Sequence, residues 1–363
     1  MDINKLLQVA CQRSASFIYL NLNSPPALRV GSEIINMQTA NIHSEDMDNI
    51  IGGFLDEEQK KIYESSGRFC LVQDISESFK VYISLFKDRQ GPAAFFKIIS
   101  NKIPNLDGLP PAVWSMEPGL YSGLVVIAGL AGAGKSSTLA AIVNRFNEQH
   151  SYRILTIEDK IVFRQDSKKS SVNQLEVNPE SLQDALKFAL QGNYNIVAID
   201  AACGMAELDL VLDIAKKTNI LIFLVMNARS IQSVITNLIN ADHGNYSLSC
   251  LSCAEAIEAV LLQTLVAKQD SNGEMVGAFE LMIANPAIRK LIEEGKLQQI
   301  LSLVQVGASY GMCTMKNSLQ SLVKNGVISS KTAHLTANVF NRHENKGAAK
   351  IPTKHSNNDS DAF

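Results

Sequence analysis

The sequence predicts an α/β protein, in which a phosphate-binding domain on a parallel sheet follows a separate N-terminal domain of mixed short strands and helices. Three observations carry this. From Gly123 onward, apolar runs alternate with helical segments, the pattern of a parallel sheet covered on both faces. The first of those runs leads into "GLAGAGKSS", Gly129 to Ser137, a glycine-rich turn between strand and helix. A proline-rich stretch over 101–122, with Pro104, Pro110, Pro111 and Pro118, separates this region from what precedes it.

The elements follow in order. Within residues 1–100, "FIYLNL" and "FKVYISLF" read as strands, the second alternating with period two, and "SPPALRVGSE" interrupts them as a turn. Residues 101–122 are the linker, and 123–340 the nucleotide-binding domain with its C-terminal helical part. There "GLVVIAG", "YRILTIED", "YNIVAID" and "NILIFLVMN" read as strands. Between them lie the helices "KSSTLAAIVNRFNEQ", "NPESLQDALKFALQ" and "AELDLVLDIAKK". In the second helix Asn178 can cap, Pro179 suits the first turn, and Glu180 suits the dipole. Leu182, Ala185, Leu186, Ala189 and Leu190 form its apolar stripe. After about residue 250 the chain is expected to be helical, through "RKLIEEGKLQQILSLVQ" and "MKNSLQSLVKNGVIS". Residues 341–363 are polar, bury too little to order themselves, and are expected to be a disordered tail.

Composition narrows the function. Of 363 residues 46% are hydrophobic and 19% charged, as in a soluble globular protein, and the net charge of −3 argues against an electrostatic nucleic-acid partner. The start, "MDINKLLQVACQRS", lacks the basic and apolar regions of a signal peptide. The longest apolar runs fall short of the about 20 residues a membrane helix needs. A cytoplasmic protein that does not span the membrane is expected. The six cysteines are scattered, which is no disulfide framework. Cys250 and Cys253 form one C-x-x-C, with His243 nearby and no second pair, so they read as core thiols one helical turn apart.

Gly129, Gly134, Lys135 and Ser136 satisfy G-x-x-x-x-G-K-[ST] in the required strand-to-helix context. The glycines let the backbone wrap with its N–H groups aimed at phosphate oxygens, and the helix start adds its positive dipole end. Lys135 is expected to reach the β- and γ-phosphates, and the Ser136 hydroxyl to ligand magnesium. The candidate ligands for ATP and Mg2+ are Gly129, Gly132, Ala133, Gly134, Lys135, Ser136 and Ser137. Asp200 closes a buried strand beside the loop and is the second candidate for the metal, through water. Glu158 closes another strand and is placed to orient the attacking water. These two carboxylates are the candidate catalytic groups.

The stretches "GLAGAGKSSTLAAIVNRFNE", "ILTIEDKIVFRQDSKKSSVNQLEV" and "PAIRKLIEEGKL" closely resemble the type IV pilus retraction (twitching motility) ATPases of the PilT/PilU type, within the type II/IV secretion ATPase superfamily. "SASFIYLNLNSPPALRVGSE" and "YGMCTMKNSLQSLVKNGVIS" resemble that family's N-terminal domain and C-terminal helices, so the likeness covers about residues 1–340. It implies a PAS-like N-terminal domain, a RecA-like P-loop domain and a hexameric ring. That ring could be homomeric or mixed with a paralogous ATPase, and its partner would be the inner-membrane pilus platform protein, which would place the chain peripherally at the inner membrane. Glu158 and Asp159 match the family's Asp box. Ala287, Ile288, Arg289, Leu291 and Ile292 match most of its "AIRNLI" segment, with Lys290 in place of Asn.

Other positions depart from the family. Its Walker B strand ends Gly-Glu, where this chain has Asp200-Ala201. Its His box would place a histidine near Met226 or Asn227, and "IFLVMNARS" has none. Two N-terminal arginines expected to serve the neighbouring site fall on Gln90 and Lys97, with Arg89 adjacent to the first. A missing base costs about 10²–10⁴ in rate and a missing arginine finger about 10³–10⁵. Three readings follow: an ATP-binding auxiliary or regulatory ring with weak or lost hydrolysis, an active motor with a relocated carboxylate, or a structural ring subunit. The intact Lys135-Ser136 pair argues against the last.

Overall fold

The computed structural model describes residues 2–347 other than 14, 32, 77–78, 101, 107, 117, 119–120, 179, 242–244 and 270–273. The N-terminal part runs α1 (Ile3–Gln12), β1 (Ala15–Leu20), β2 (Ala27–Val30), β3 (Glu33–Asn36), α2 (Ser44–Phe54), α3 (Glu57–Ser66), β4 (Arg68–Asp74), β5 (Phe79–Asp88) and β6 (Gly91–Ser100). Its strands pair antiparallel in the order β3-β2-β1-β6-β5-β4. The period-two pattern of β5 puts Val81, Ile83 and Leu85 on the buried face, beside Ile18, Leu20 and Phe96. Local signals fix the helix ends. Asp2 accepts from the Asn4 and Lys5 amides at the start of α1, and Asp56 and Gln59 form a capping box at the start of α3. Gly67 ends α3 at φ 69°.

After a short helical turn, α4 (Pro111–Trp114), the second part alternates β7 (Gly123–Gly129), α5 (Lys135–Gln149), β8 (Arg153–Glu158), β9 (Ser171–Glu176), α6 (Leu182–Gln191), β10 (Ile196–Asp200), α7 (Met205–Lys217), β11 (Leu221–Asn227) and α8 (Ile231–Ala241). Then come α9 (Tyr246–Ala256), β12 (Ile257–Ala267), β13 (Met275–Ile283), α10 (Pro286–Glu293), α11 (Ile300–Val306), α12 (Met315–Lys324) and α13 (Ser330–Gly347). The sheet order is β13-β12-β7-β11-β10-β8-β9. Six of these strands are parallel to their neighbours, and β13 returns antiparallel along β12. Every residue of β7 is buried. Leu124 and Val126 face one apolar layer, Val125 and Ile127 the other. The carboxyl ends of β7, β8, β10 and β11 therefore meet on one rim, where open parallel sheets bind ligands.

Several elements differ from expectation. The region after 250 is not wholly helical, because β12 and β13 extend the sheet and make it mixed. β12 is apolar on both faces and follows α9 without a glycine or proline break, so its pattern reads on as helix. β9 is a half-exposed edge strand that the alternation also misses. The helix expected from Asn178 begins at Leu182. Asn178 Oδ1 instead accepts from the Ser181 amide in a turn before it, and Pro179 lies outside the described residues. Its stripe is buried through Ala189, but Leu190 is exposed. Gly295, at φ 67°, divides the long C-terminal helical stretch after α10. The final helix continues to Gly347, past the expected start of a tail at 341, and 348–363 lie outside the described residues. Cys250 and Cys253 are buried free thiols on α9, and His243 lies outside the described residues. Among the described residues no helix is long and apolar enough to cross a membrane.

Candidate functional site

The phosphate loop takes its shape from three glycines and a buried glutamine. Gly132 and Gly134 hold φ of 80° and 84°, backbone that side-chain-bearing residues rarely adopt. At Gly129 a Cβ would lie 2.5 Å from the Gln263 carbonyl oxygen of β12, so strand and loop pack too closely for a larger residue. Gln263 Nε2 donates to the Ala133 carbonyl at 2.6 Å, which pins the crest of the loop to the sheet. α5 starts at Lys135, immediately after Gly134, so its first N–H groups face the loop interior. Gly132 and Gly134 lie in the turn, Lys135, Ser136 and Ser137 form the first turn of α5, and Ala133 is buried between the glycines.

Lys135 is nearly buried, and its ammonium donates to three acceptors: Gly129 O at 3.1 Å, Leu130 O at 2.9 Å and Asn227 Oδ1 at 2.9 Å. Burial lowers its pKa, Asp200 opposes that, and Lys97 adds to it. Register places Asp200 beside Glu158 across β10 and β8. Ser136 and Asp200 line the same space at the start of α5. Burial pushes Asp200 upward, while Ser136, Lys135 and Lys97 pull it back. Lys135, Ser136, Asp159, Asp200, Ala201 and Asn227 all line one cavity of about 560 Å3. A rigid loop of amides, a cation and a hydroxyl–carboxylate pair on one cavity is the donor set that fits a polyphosphate and a hard divalent cation.

Glu158 faces elsewhere. It lines a neighbouring space of about 20 Å3, room for about one water, with Ser136, Asp200, Gln165 and Gln174. Its Oε1 accepts from Thr156 Oγ1 at 2.7 Å and Gln174 Nε2 at 3.0 Å. Burial raises its pKa against those two hydrogen bonds, and Asp200 and Glu176 add to the rise. Asp159, the exposed member of the acidic pair, reaches the larger cavity and accepts from the Ala202 amide.

Three features extend what the sequence indicated. Lys97, expected to act on a neighbouring site, acts electrostatically on Lys135 and Asp200 of its own chain. The reason is that the N-terminal sheet folds back on its own P-loop domain. Ile99 of β6, Ala140 of α5 and Phe163 share a small buried cluster with Tyr82 packed against it. Arg89 and Gln90 occupy the exposed β5–β6 turn. Asn227, noted in the sequence only where a histidine was missing, bonds the loop lysine, and no local pattern announces that. In α10, Ile288 and Ile292 are fully buried. Arg289 turns inward to Glu258 Oε1 at 2.8 Å and to the Ala254 carbonyl that ends α9.

Fold and site together define a P-loop nucleotide-binding protein with a RecA-like domain behind an N-terminal α+β domain. The comparisons with known proteins narrow this class. The chain is 31% identical over 345 residues to the type IV pilus retraction ATPase PilT of Pseudomonas aeruginosa, covering 93% of this chain and 99% of that protein. It is 31% identical over 316 residues to a twitching motility protein of Neisseria gonorrhoeae, covering 86% and 84%. The crystal structure of the pilus retraction motor PilT with bound ADP superposes with a TM-score of 0.75 at 28% identity, covering 92% of this chain and 96% of that one. No family model matches the chain. The chain belongs to the type IV pilus retraction ATPase family.

Proposed function

We propose that this chain is a cytoplasmic, ATP-binding member of the pilus retraction machinery in which hydrolysis is weak or lost. On this reading it works in a ring of six copies, alone or mixed with a paralogous ATPase, docked on the inner-membrane platform of the pilus. The loop amides and Lys135 would hold the phosphates, and Ser136 with Asp200 would hold Mg2+. When bound, the metal supplies charge neutralisation to the phosphates.

One observation carries the reading of weak turnover. The residue after Asp200 is Ala201, a cavity-lining methyl where the family carries a glutamate. Glu158, the carboxyl paired with Asp200 across the sheet, is held by Thr156 and Gln174 and lines the small adjoining space, not the cavity that Ala201 lines. The exposed carboxylate of Asp159 in that cavity favours the second reading, an active motor with a relocated acid. Steady-state turnover measured beside equilibrium ATP affinity decides between them. Tight binding with turnover at background is the expected result. Robust turnover that collapses in Asp159→Asn or Glu158→Gln would establish the motor instead.

A further inference from the structure

Asn227 is the last residue of β11 and lies in register with Gly129, the first residue of the loop. Of the three acceptors that hold the Lys135 ammonium, its amide oxygen is the one on a side chain, the other two being carbonyls of the loop itself. The ammonium has three protons, and all three are used. A phosphate that engages Lys135 must therefore displace one of these acceptors. The carbonyls of Gly129 and Leu130 are fixed by the loop, since the Ala133 amide donates to Leu130 O at 3.1 Å and Gln263 anchors Ala133. Asn227 is exposed on the cavity rim and free to turn about its side-chain torsions.

We propose that Asn227 is an exchange partner of Lys135. It holds the lysine in the nucleotide-free protein, releases it to phosphate, and then turns its amide NH2 toward the terminal phosphate of a nucleoside triphosphate. An asparagine suits both states because one side chain carries an acceptor and a donor. It is a positioning residue in the first state and a discriminator between tri- and diphosphate in the second. Because the amide is neutral, the exchange needs no titrating group at this position, unlike a histidine there. This inference rests on the nucleotide-binding reading of the loop.

The test is equilibrium titration of the full chain with ADP and with a non-hydrolysable ATP analogue, both with Mg2+, in wild type, Asn227→Ala and Asn227→Asp. Losing one hydrogen bond to a charged phosphate should lower the triphosphate-over-diphosphate preference of Asn227→Ala about tenfold. ADP affinity should hold or rise, since the lysine has lost its internal competitor. Asn227→Asp should weaken both nucleotides about tenfold or more, because a carboxylate pairs the lysine and repels phosphate. An unchanged preference in Asn227→Ala with an unchanged melting temperature overturns the exchange. So does wild-type binding by Asn227→Asp. If wild type binds neither nucleotide, the reading of the loop itself falls, and this inference with it.

Discussion

The two walls of the cavity are built differently. The phosphate loop is made by contiguous residues, Gly129 to Ser137, whose shape follows from glycine geometry and one anchoring bond from Gln263. The opposite wall is assembled from the ends of separate strands, β8, β10 and β11, brought together only by sheet order. Lys135 and Asn227 are 92 residues apart, and Ala202 and Asp159 are 43. The loop wall keeps every group that a phosphate needs. The strand-end wall carries Ala201 and Asn227, where the resemblance implies a glutamate and a histidine, and keeps Glu158 in the adjoining small space. On the proposed reading, binding depends on the first wall and turnover on the second, so the two functions can separate without the fold changing.

That contrast breaks most severely at Lys135. Lys135→Ala removes the loop's only cation, and nucleotide affinity should fall about a hundredfold, as expected for losing a strong charged hydrogen bond. The melting temperature without nucleotide should hardly move, because truncation also removes a poorly solvated charge. Calorimetric titration beside thermal melting separates the two. A variant that still binds as wild type would mean that the loop does not grip phosphate.

Asp200→Asn probes the junction between the walls and should act less. The asparagine keeps the shape of the side chain but cannot offer a carboxylate to a metal-bound water. The gain in ATP affinity on adding Mg2+ should shrink about tenfold, while metal-free affinity stays the same. If the gain survives intact, Asp200 belongs to the loop's scaffold and not to the metal site.

The same division governs what the sequence reveals. The loop was legible because its chemistry is a local pattern, and the strands around it because parallel strands leave contiguous apolar runs. β12 was not, since a strand buried on both faces has no period to separate it from helix. The resemblance identified Glu158 and Asp159 as a pair. Which of them reaches the cavity depends on Gln174 of β9, whose side chain bonds Glu158 across the sheet. Likewise, the direction of Lys97 depends on how the two parts of the chain fold together. Neither fact is encoded within a window of neighbouring residues.

Glu158→Gln gives the smallest effect and the sharpest test of the strand-end wall. Burial raises the Glu158 pKa above its ordinary 4.5, so the folded protein binds its proton more readily than the unfolded chain does. Stability from this group is therefore fully present below the unfolded value and is lost as pH rises through the folded one. Once ionised, the carboxylate is a net cost to the fold. Glutamine keeps an oxygen to accept from Thr156 and Gln174 and carries no charge. Glu158→Gln should therefore melt a few degrees above wild type at neutral pH, and the gain should vanish as pH falls below about 4.5, where both side chains are neutral. A gain that persists at low pH would assign the effect to packing. A loss of stability at neutral pH would mean that the carboxylate is held in its charged form, open to the main cavity and available as a base, and the contrast between the two walls would then fail at this residue.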